Sequence, residues 1–185
     1  MLAAAPSGSA FLKRDRTNLQ TLLASTKTLP MTNIRLAQAT DIPELAALYR
    51  QTVEVNAPQH YTPAQTQAWS ALGAETEAFC QFILGVTTFV ITDESGILGF
   101  AGIDATGHVA STYVRADQLG QGIGSTLMQT VLAHAHTHHL TRLYAEASEF
   151  SLGLFKKFGF TVYNTEVVDL SGVQFTRYLM EKTDL

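Results

Sequence analysis

Cysteine is nearly missing from this chain: Cys80 is the single one in 185 residues. One thiol cannot close a disulfide within the chain, so the fold is expected to stand without cross-links in a reducing compartment, most simply the cytoplasm. No apolar run approaches the roughly 20 residues a membrane-spanning helix needs, which argues against an integral membrane protein. Basic residues are scarce beyond the first 30 positions. Four of the 12 Lys and Arg (Lys13, Arg14, Arg16, Lys27) precede Met31, against one acid, Asp15, which leaves 8 basic and 15 acidic residues and a formal charge of −7 from Met31 onward. A domain this acidic repels a phosphate backbone, which argues against nucleic acid as partner and favours a cationic acceptor such as an amine. What remains is a composition of 46% apolar and 15% charged residues, that of a soluble globular chain. Its length suits one domain, which buries about 70% of the surface its unfolded chain exposes.

Residues 1–30 read unlike the rest, and Met31 stands like a second start before the first strand pattern. Within 1–30 the charges follow the short apolar stretch, the reverse of a secretory signal. An upstream start or an added extension accounts for the segment, with a transit peptide as the alternative; residues 18–25 fit a short helix. The domain proper is expected over 31–185. Ile34, Leu36 and Gln38 alternate with Asn33, Arg35 and Ala37 as a strand; Thr40 or Asp41 then caps a helix with Pro43 in its first turn. Its apolar face would be Leu45, Leu48 and Tyr49. Thr62 and Pro63 announce a second helix, and Phe79, Phe82 and Ile83 a third before Gly85. Two β-rich runs, 87–92 and 97–103, flank Asp93-Glu94-Ser95-Gly96 as a hairpin. A strand over 108–114, a helix over 122–136, a strand over 142–147, a helix over 150–158 closed by Gly159, and a strand pair over 160–168 and 173–179 complete the chain. Helices mixed with an antiparallel meander indicate an α/β (α+β) fold with a mixed sheet.

The most informative stretch runs from Val114 through Leu119-Gly-Gln-Gly-Ile-Gly124 to Ser125. Glycines at 120, 122 and 124 let backbone N–H groups approach a ligand, and the helix beyond adds unpaired donors and a positive dipole end. An anion is expected there, most simply a pyrophosphate. A P-loop would require Lys and then Ser or Thr after the last Gly, and a dinucleotide fingerprint would read G-x-G-x-x-G; neither spacing occurs. An ordinary glycine-rich turn starting a helix is the alternative. Valine at 122 or 124 is expected to abolish binding by filling the phosphate space and disfavouring any positive φ.

This segment, with Leu127 and Met128 behind it, resembles the acetyl-CoA pyrophosphate loop of the GNAT superfamily, Q/R-x-x-G-x-G/A. Residues 88–100 look like the family's central hairpin, and Leu154-Phe-Lys-Lys-Phe-Gly-Phe160 like its F-Y-x-x-x-G-F signature. Gln59-His-Tyr-Thr-Pro63, Ala68-Trp69 and Gly172-Val-Gln-Phe-Thr176 are similar to the YafP-like branch. The resemblance implies a mostly antiparallel sheet with helices on both faces, splayed in its middle around acetyl-CoA, the acetyl donor. The pantetheine would pair with the backbone of Thr112, Tyr113 and Val114, and the pyrophosphate would meet N–H groups of Gln121, Gly122, Ile123, Gly124 and Ser125. Phe155 would line the cofactor site, and His60, Tyr61 and Trp69 the acceptor site. Two positions depart from the family. Leu119 stands where the loop motif has Gln or Arg, and Phe155 stands where many members carry a proton-donating Tyr; phenylalanine cannot donate.

Amine attack on a thioester needs a neutral nucleophile, donors for the oxyanion and preferably an acid for the thiolate. A strand N–H, that of Val114 or its neighbour, suits the oxyanion. No carboxylate stands on 108–114, so His60, Tyr61, Tyr113 and Ser148 remain for proton transfer. Each has a plainer reading: His60 as a polar loop residue, Tyr113 and Tyr61 as packing rings, Ser148 as a helix cap, Trp69 as core or pocket wall. His134 and His138, spaced i, i+4, could hold a metal, but no carboxylate or Cys lies beside them, so no metal site is expected. The expected activity is acetyl transfer from acetyl-CoA to a primary amine by direct attack. A CoA-binding module of the same fold without chemistry is the alternative. A homodimer is left open.

Overall fold

The computed structural model of the protein describes residues 32–74 and 76–185; the helix expected over 18–25, like the whole of 1–30, lies outside the described residues. The described residues form seven strands and five α-helices. They are β1 (Asn33–Leu36), α1 (Ile42–Asn56), α2 (Pro63–Ser70), α3 (Glu77–Leu84), β2 (Thr87–Asp93), β3 (Gly96–Ile103) and β4 (Val109–Val114). There follow α4 (Ile123–Thr137), β5 (Leu143–Ala147), α5 (Leu152–Lys157), β6 (Thr161–Leu170) and β7 (Val173–Lys182). The strands form two sheets, ordered β1-β2-β3-β4 and β5-β7-β6, with antiparallel pairing throughout each.

Side-chain alternation along β2 and β3 builds one core on each face of the first sheet. Ile91, Leu98, Ala101 and Ile103 pack with Leu127, Met128 and Val131 of α4 and Phe155 of α5. Val90, Ile97 and Phe100 pack with Leu45, Leu48 and Tyr49 of α1 and with Phe79 and Ile83 of α3. Covered on both sides, β3 reads as an unbroken apolar run from Ile97 to Ile103. Helix starts are chemically specified: the Thr62 hydroxyl accepts from the Gln65 N–H (3.2 Å) while the Gln65 side chain accepts from the Thr62 N–H (2.9 Å), and Thr76 Oγ1 accepts from the Phe79 N–H (3.2 Å).

Three local expectations are corrected. The first strand stops at Leu36, and its alternating residues Ile34 and Leu36 are 40% and 55% exposed. β1 is the sheet's edge, and among the described residues no helix covers this pattern. Asp41 is already helical (φ −83°) and does not cap α1; its carboxylate instead takes Arg35 in two bonds (2.6 and 2.8 Å) and the Gln38 N–H (2.8 Å). The helix expected over 150–158 is confined to Leu152–Lys157, because Ser148 and Ser151 exchange hydrogen bonds that fold the preceding residues into a turn.

The two sheets meet in parallel at the bridge His108↔Tyr144 and then separate, β4 to one side and β5 to the other. Gly107 makes this junction possible. Its φ is +90°, its carbonyl accepts from the Tyr144 N–H (3.0 Å), and a Cβ there would lie 2.2 Å from the Arg142 carbonyl oxygen. Gly107→Ala is therefore expected to destabilise the protein by at least the 1–3 kcal/mol typical of a non-glycine residue forced into this region. Thermal denaturation checks it: the Tm should fall by several degrees.

Candidate active site

The divergence of β4 and β5 opens a cleft of about 450 Å³, walled by β4, the turn after it, the first turn of α4, the end of β5, α5 and one face of α1. One end is built for an anion. Past β4 the chain makes a short 3-10 turn at Ala116–Gln118 and enters α4 through Gly120 (φ +73°) and Gly122 (φ +89°). The first helical bond runs from the Thr126 N–H to the Gly122 carbonyl (2.9 Å), so the N–H groups of Ile123, Gly124 and Ser125 have no intrahelical acceptor. A Cβ added at Gly120 or Gly122 would meet nothing within 4 Å. This open, donor-lined cradle has the chemistry to take an anion of pyrophosphate size. Gly124 differs from that expectation. Its φ is not positive, and a Cβ there would make ordinary 3.5 Å contacts with Leu154 and Val114.

The strand wall is held open from α1. The Thr52 hydroxyl donates to the Val114 carbonyl (2.9 Å), and the Arg115 N–H on the next residue turns the other way, to the Leu98 carbonyl of β3 (2.8 Å). Because peptide direction alternates along a strand, the Val114 N–H faces the gap, available to an oxyanion or a pantetheine amide. Asn56, buried one turn beyond Thr52 and bonded to its carbonyl (2.9 Å), lines the same wall.

Of the residues singled out by sequence, Trp69, Thr112, Tyr113, Val114, Gly122, Ile123, Gly124, Ser125, Ser148 and Phe155 line the cleft. Tyr113 stacks on Phe100 (5.2 Å), packs on Tyr49 (4.5 Å) and accepts a bond from the Trp69 indole N–H (3.3 Å). Burial raises its pKa above the usual phenol range, so the hydroxyl stays protonated and is a poor proton donor. The Ser148 hydroxyl lies 3.1 Å from that of Ser151 and accepts from the Ser151 N–H (3.2 Å). Phe155 is buried edge-on to Phe160 (5.1 Å). Three predicted residues lie off the cleft wall. His60 is exposed after the 3-10 turn Ala57–Gln59, and Gln121 donates to the Asp117 carbonyl (3.3 Å). Tyr61 packs against Trp69 (5.4 Å) and Phe175 (5.9 Å), its oxygen accepting from the Glu149 N–H (3.1 Å).

Sequence reasoning missed the cleft's carboxylate. Glu146, on β5, lines the wall and bonds His108 Nε2 at 2.6 Å; the imidazole stacks on Tyr144 (5.0 Å). The two lie 38 positions apart and meet because β4 and β5 touch at His108↔Tyr144. Alternation is the available signal: Leu143, Ala145 and Ala147 are buried apolar residues, so Glu146 between them must face the other side. The Glu146 hydrogen bond raises the His108 pKa despite opposing burial, and the same bond lowers that of Glu146. The His134 and His138 rings lie 3.9 Å apart at a tilt of 31°, and among the described residues no group of three or more potential ligands gathers for a metal. No helix among them is long and apolar enough to cross a membrane.

Comparison with known proteins gives this geometry its family. Residues 57–182 match the acetyltransferase (GNAT) domain. The uncharacterized N-acetyltransferase YafP of Escherichia coli K12 is 24% identical over 148 residues, covering 80% of this chain and 93% of YafP. The L-methionine sulfoximine/L-methionine sulfone acetyltransferase of Pseudomonas paraeruginosa is 30% identical over 146 residues, 70% of this chain and 80% of that protein. The crystal structure of a GCN5-related N-acetyltransferase from Rhodopseudomonas palustris superposes with a TM-score of 0.78 at 24% identity, over 84% of this chain and 98% of its own. The chain thus belongs to the GNAT family of N-acetyltransferases, in its YafP-like part.

Proposed function

We propose that the protein acetylates the primary amine of a small molecule by direct attack on acetyl-CoA, with the His108–Glu146 pair receiving the proton. The observation that carries this is the placement of Glu146 on the cleft wall, hydrogen-bonded to a histidine at the point where the sheets divide. Acetyl-CoA supplies the thioester to be attacked. The chain's own residues do the rest: the Val114 N–H faces the gap where an oxyanion would form, the N–H groups of Ile123, Gly124 and Ser125 meet the pyrophosphate, and Trp69 and Tyr113 wall the acceptor side. Phe155 offers no proton, and a thiol with an ordinary pKa of about 8–9 departs without a strong acid.

Acceptor size follows from the relative whose name gives L-methionine sulfoximine and L-methionine sulfone as its substrates. Amines of amino-acid size come first. Phe155 keeps one second reading in view, a cofactor-binding module without turnover. Free CoA thiol released from acetyl-CoA in the presence of a panel of amino acids, their sulfone and sulfoximine derivatives and simple primary amines separates the two. At least one amine should raise thiol release well above the amine-free rate. Tight acetyl-CoA binding with no amine-dependent release across the panel would instead leave the module.

A further inference from the structure

The anion end of the cleft is made from two separate pieces of chain. The backbone donors come from the start of α4, where the side chains are glycine, isoleucine and serine and carry no charge. Leu119, at the mouth of the same turn, is apolar and 37% exposed. Across the cleft, α5 ends with Lys157, whose ammonium donates to the Ser125 hydroxyl at 2.8 Å. Lys157 is the one Lys or Arg among the residues that line the cleft. The nearby Arg115 is turned instead onto the Asp117 carboxylate (2.7 Å).

An acidic domain that takes a polyanion needs a cation close to the charge, and this cleft has one. We propose that Lys157 is the pyrophosphate-binding cation of the acetyl-CoA site, reaching from α5 over the Ser125 hydroxyl to complete the cradle made by the α4 N-terminus; this rests on the acetyl-CoA reading of the cleft. In the free protein Ser125 holds the ammonium at the cradle. On binding, the flexible stem lets the ammonium exchange or share that neutral hydroxyl for a phosphate oxygen, a charge-assisted bond of greater strength. The arrangement also ties the cofactor to both walls at once, α4 through backbone donors and α5 through the lysine.

The test is calorimetric binding of coenzyme A and of 3′-dephospho-CoA to the full chain, which share the pyrophosphate and differ in the 3′-phosphate. Lys157 is exposed, so Lys157→Met should leave the Tm unchanged. It should weaken both ligands equally, by about 10- to 100-fold, the loss expected for one hydrogen bond to a charged group. Lys157→Arg should stay within about threefold of the wild type, and the affinity of Lys157→Met should fall less steeply with added salt. Lys157→Met binding coenzyme A as the wild type does would overturn the assignment. So would a loss confined to coenzyme A, which would move the lysine to the 3′-phosphate. Wild-type protein that binds neither ligand would overturn the acetyl-CoA reading itself, and the lysine's role with it.

Discussion

Gly122→Val is expected to leave a folded protein that no longer binds acetyl-CoA. The residue stands at the N-terminal boundary of α4 with φ +89°, a region that a β-branched side chain occupies only with strain. That strain costs about 1–3 kcal/mol, within the 5–15 kcal/mol that typically holds a domain together, so the variant should fold with a lowered Tm. Binding suffers twice. A valine either tilts the unpaired N–H groups of Ile123, Gly124 and Ser125 out of convergence or projects its branches into the open space where a Cβ meets no protein atom within 4 Å. Affinity measured by calorimetry should fall by more than about 100-fold, since several charge-assisted bonds to one ligand are lost together. Gly124→Ala is the control. With no positive φ and ordinary contacts at 3.5 Å, its Cβ is tolerated, and affinity should stay within a few-fold of the wild type. Equal, large losses in both would mean that the approach of the backbone, and not the left-handed turn, governs the site.

Glu146→Gln is expected to lower kcat by about 10² to 10⁴, the range for one general acid or base, with little change in acetyl-CoA affinity. The substitution preserves size and a hydrogen-bonding oxygen for His108 but removes the charge. Direction with pH follows from the pair. The His108 pKa is raised above its ordinary value of about 6.5 by Glu146, so below that value the imidazole is charged and the carboxylate is engaged by it. As pH climbs through the raised value, His108 gives up its proton and the pair, titrating as a unit, can accept one from the amine. The rate should therefore rise with pH along a limb centred above about 6.5, and His108→Gln should move that limb to lower pH. The stability conferred by the ion pair runs the other way. It is present between the ordinary carboxylate and imidazole values and is lost as pH rises through the His108 value or falls through the lowered Glu146 value. Rate-pH profiles of wild type, Glu146→Gln and His108→Gln on one amine decide it. Any limb from the amine's own titration is common to all three, and identical profiles would remove the pair from the reaction.

Most elements were legible because their signals are local. Pro43 and Thr62-Pro63 marked helix starts, Gly85 and Gly159 marked helix ends, and β2 and β3 flanked an Asp-Glu-Ser-Gly turn whose Asp93 carboxylate does bind the Ser95 N–H (2.7 Å). The errors also have physical causes. Ile34 and Leu36 alternate correctly for a strand, yet alternation says nothing of whether a partner layer covers it. Asp41 has the chemistry of a cap, but Arg35 and the Gln38 N–H reached it first.

The sequence by itself determined the glycine turn that leaves unpaired N–H donors at the start of α4, since they lie within a few residues of one another and depend on glycine's backbone freedom at Gly120 and Gly122. It also determined the two-faced sheet, through the period of its apolar residues. Only the tertiary structure decided which polar side chains meet at or beside the cleft. His108 and Glu146, and Ser125 and Lys157, are separated by 38 and 32 positions. A contact across such a span is set by how strands and helices cross, which no local pattern encodes. The same holds for His60 and Tyr61: one turn past α1 the chain points the first outward to water and the second into the aromatic group with Trp69 and Phe175, a choice made by packing partners that arrive from far along the chain.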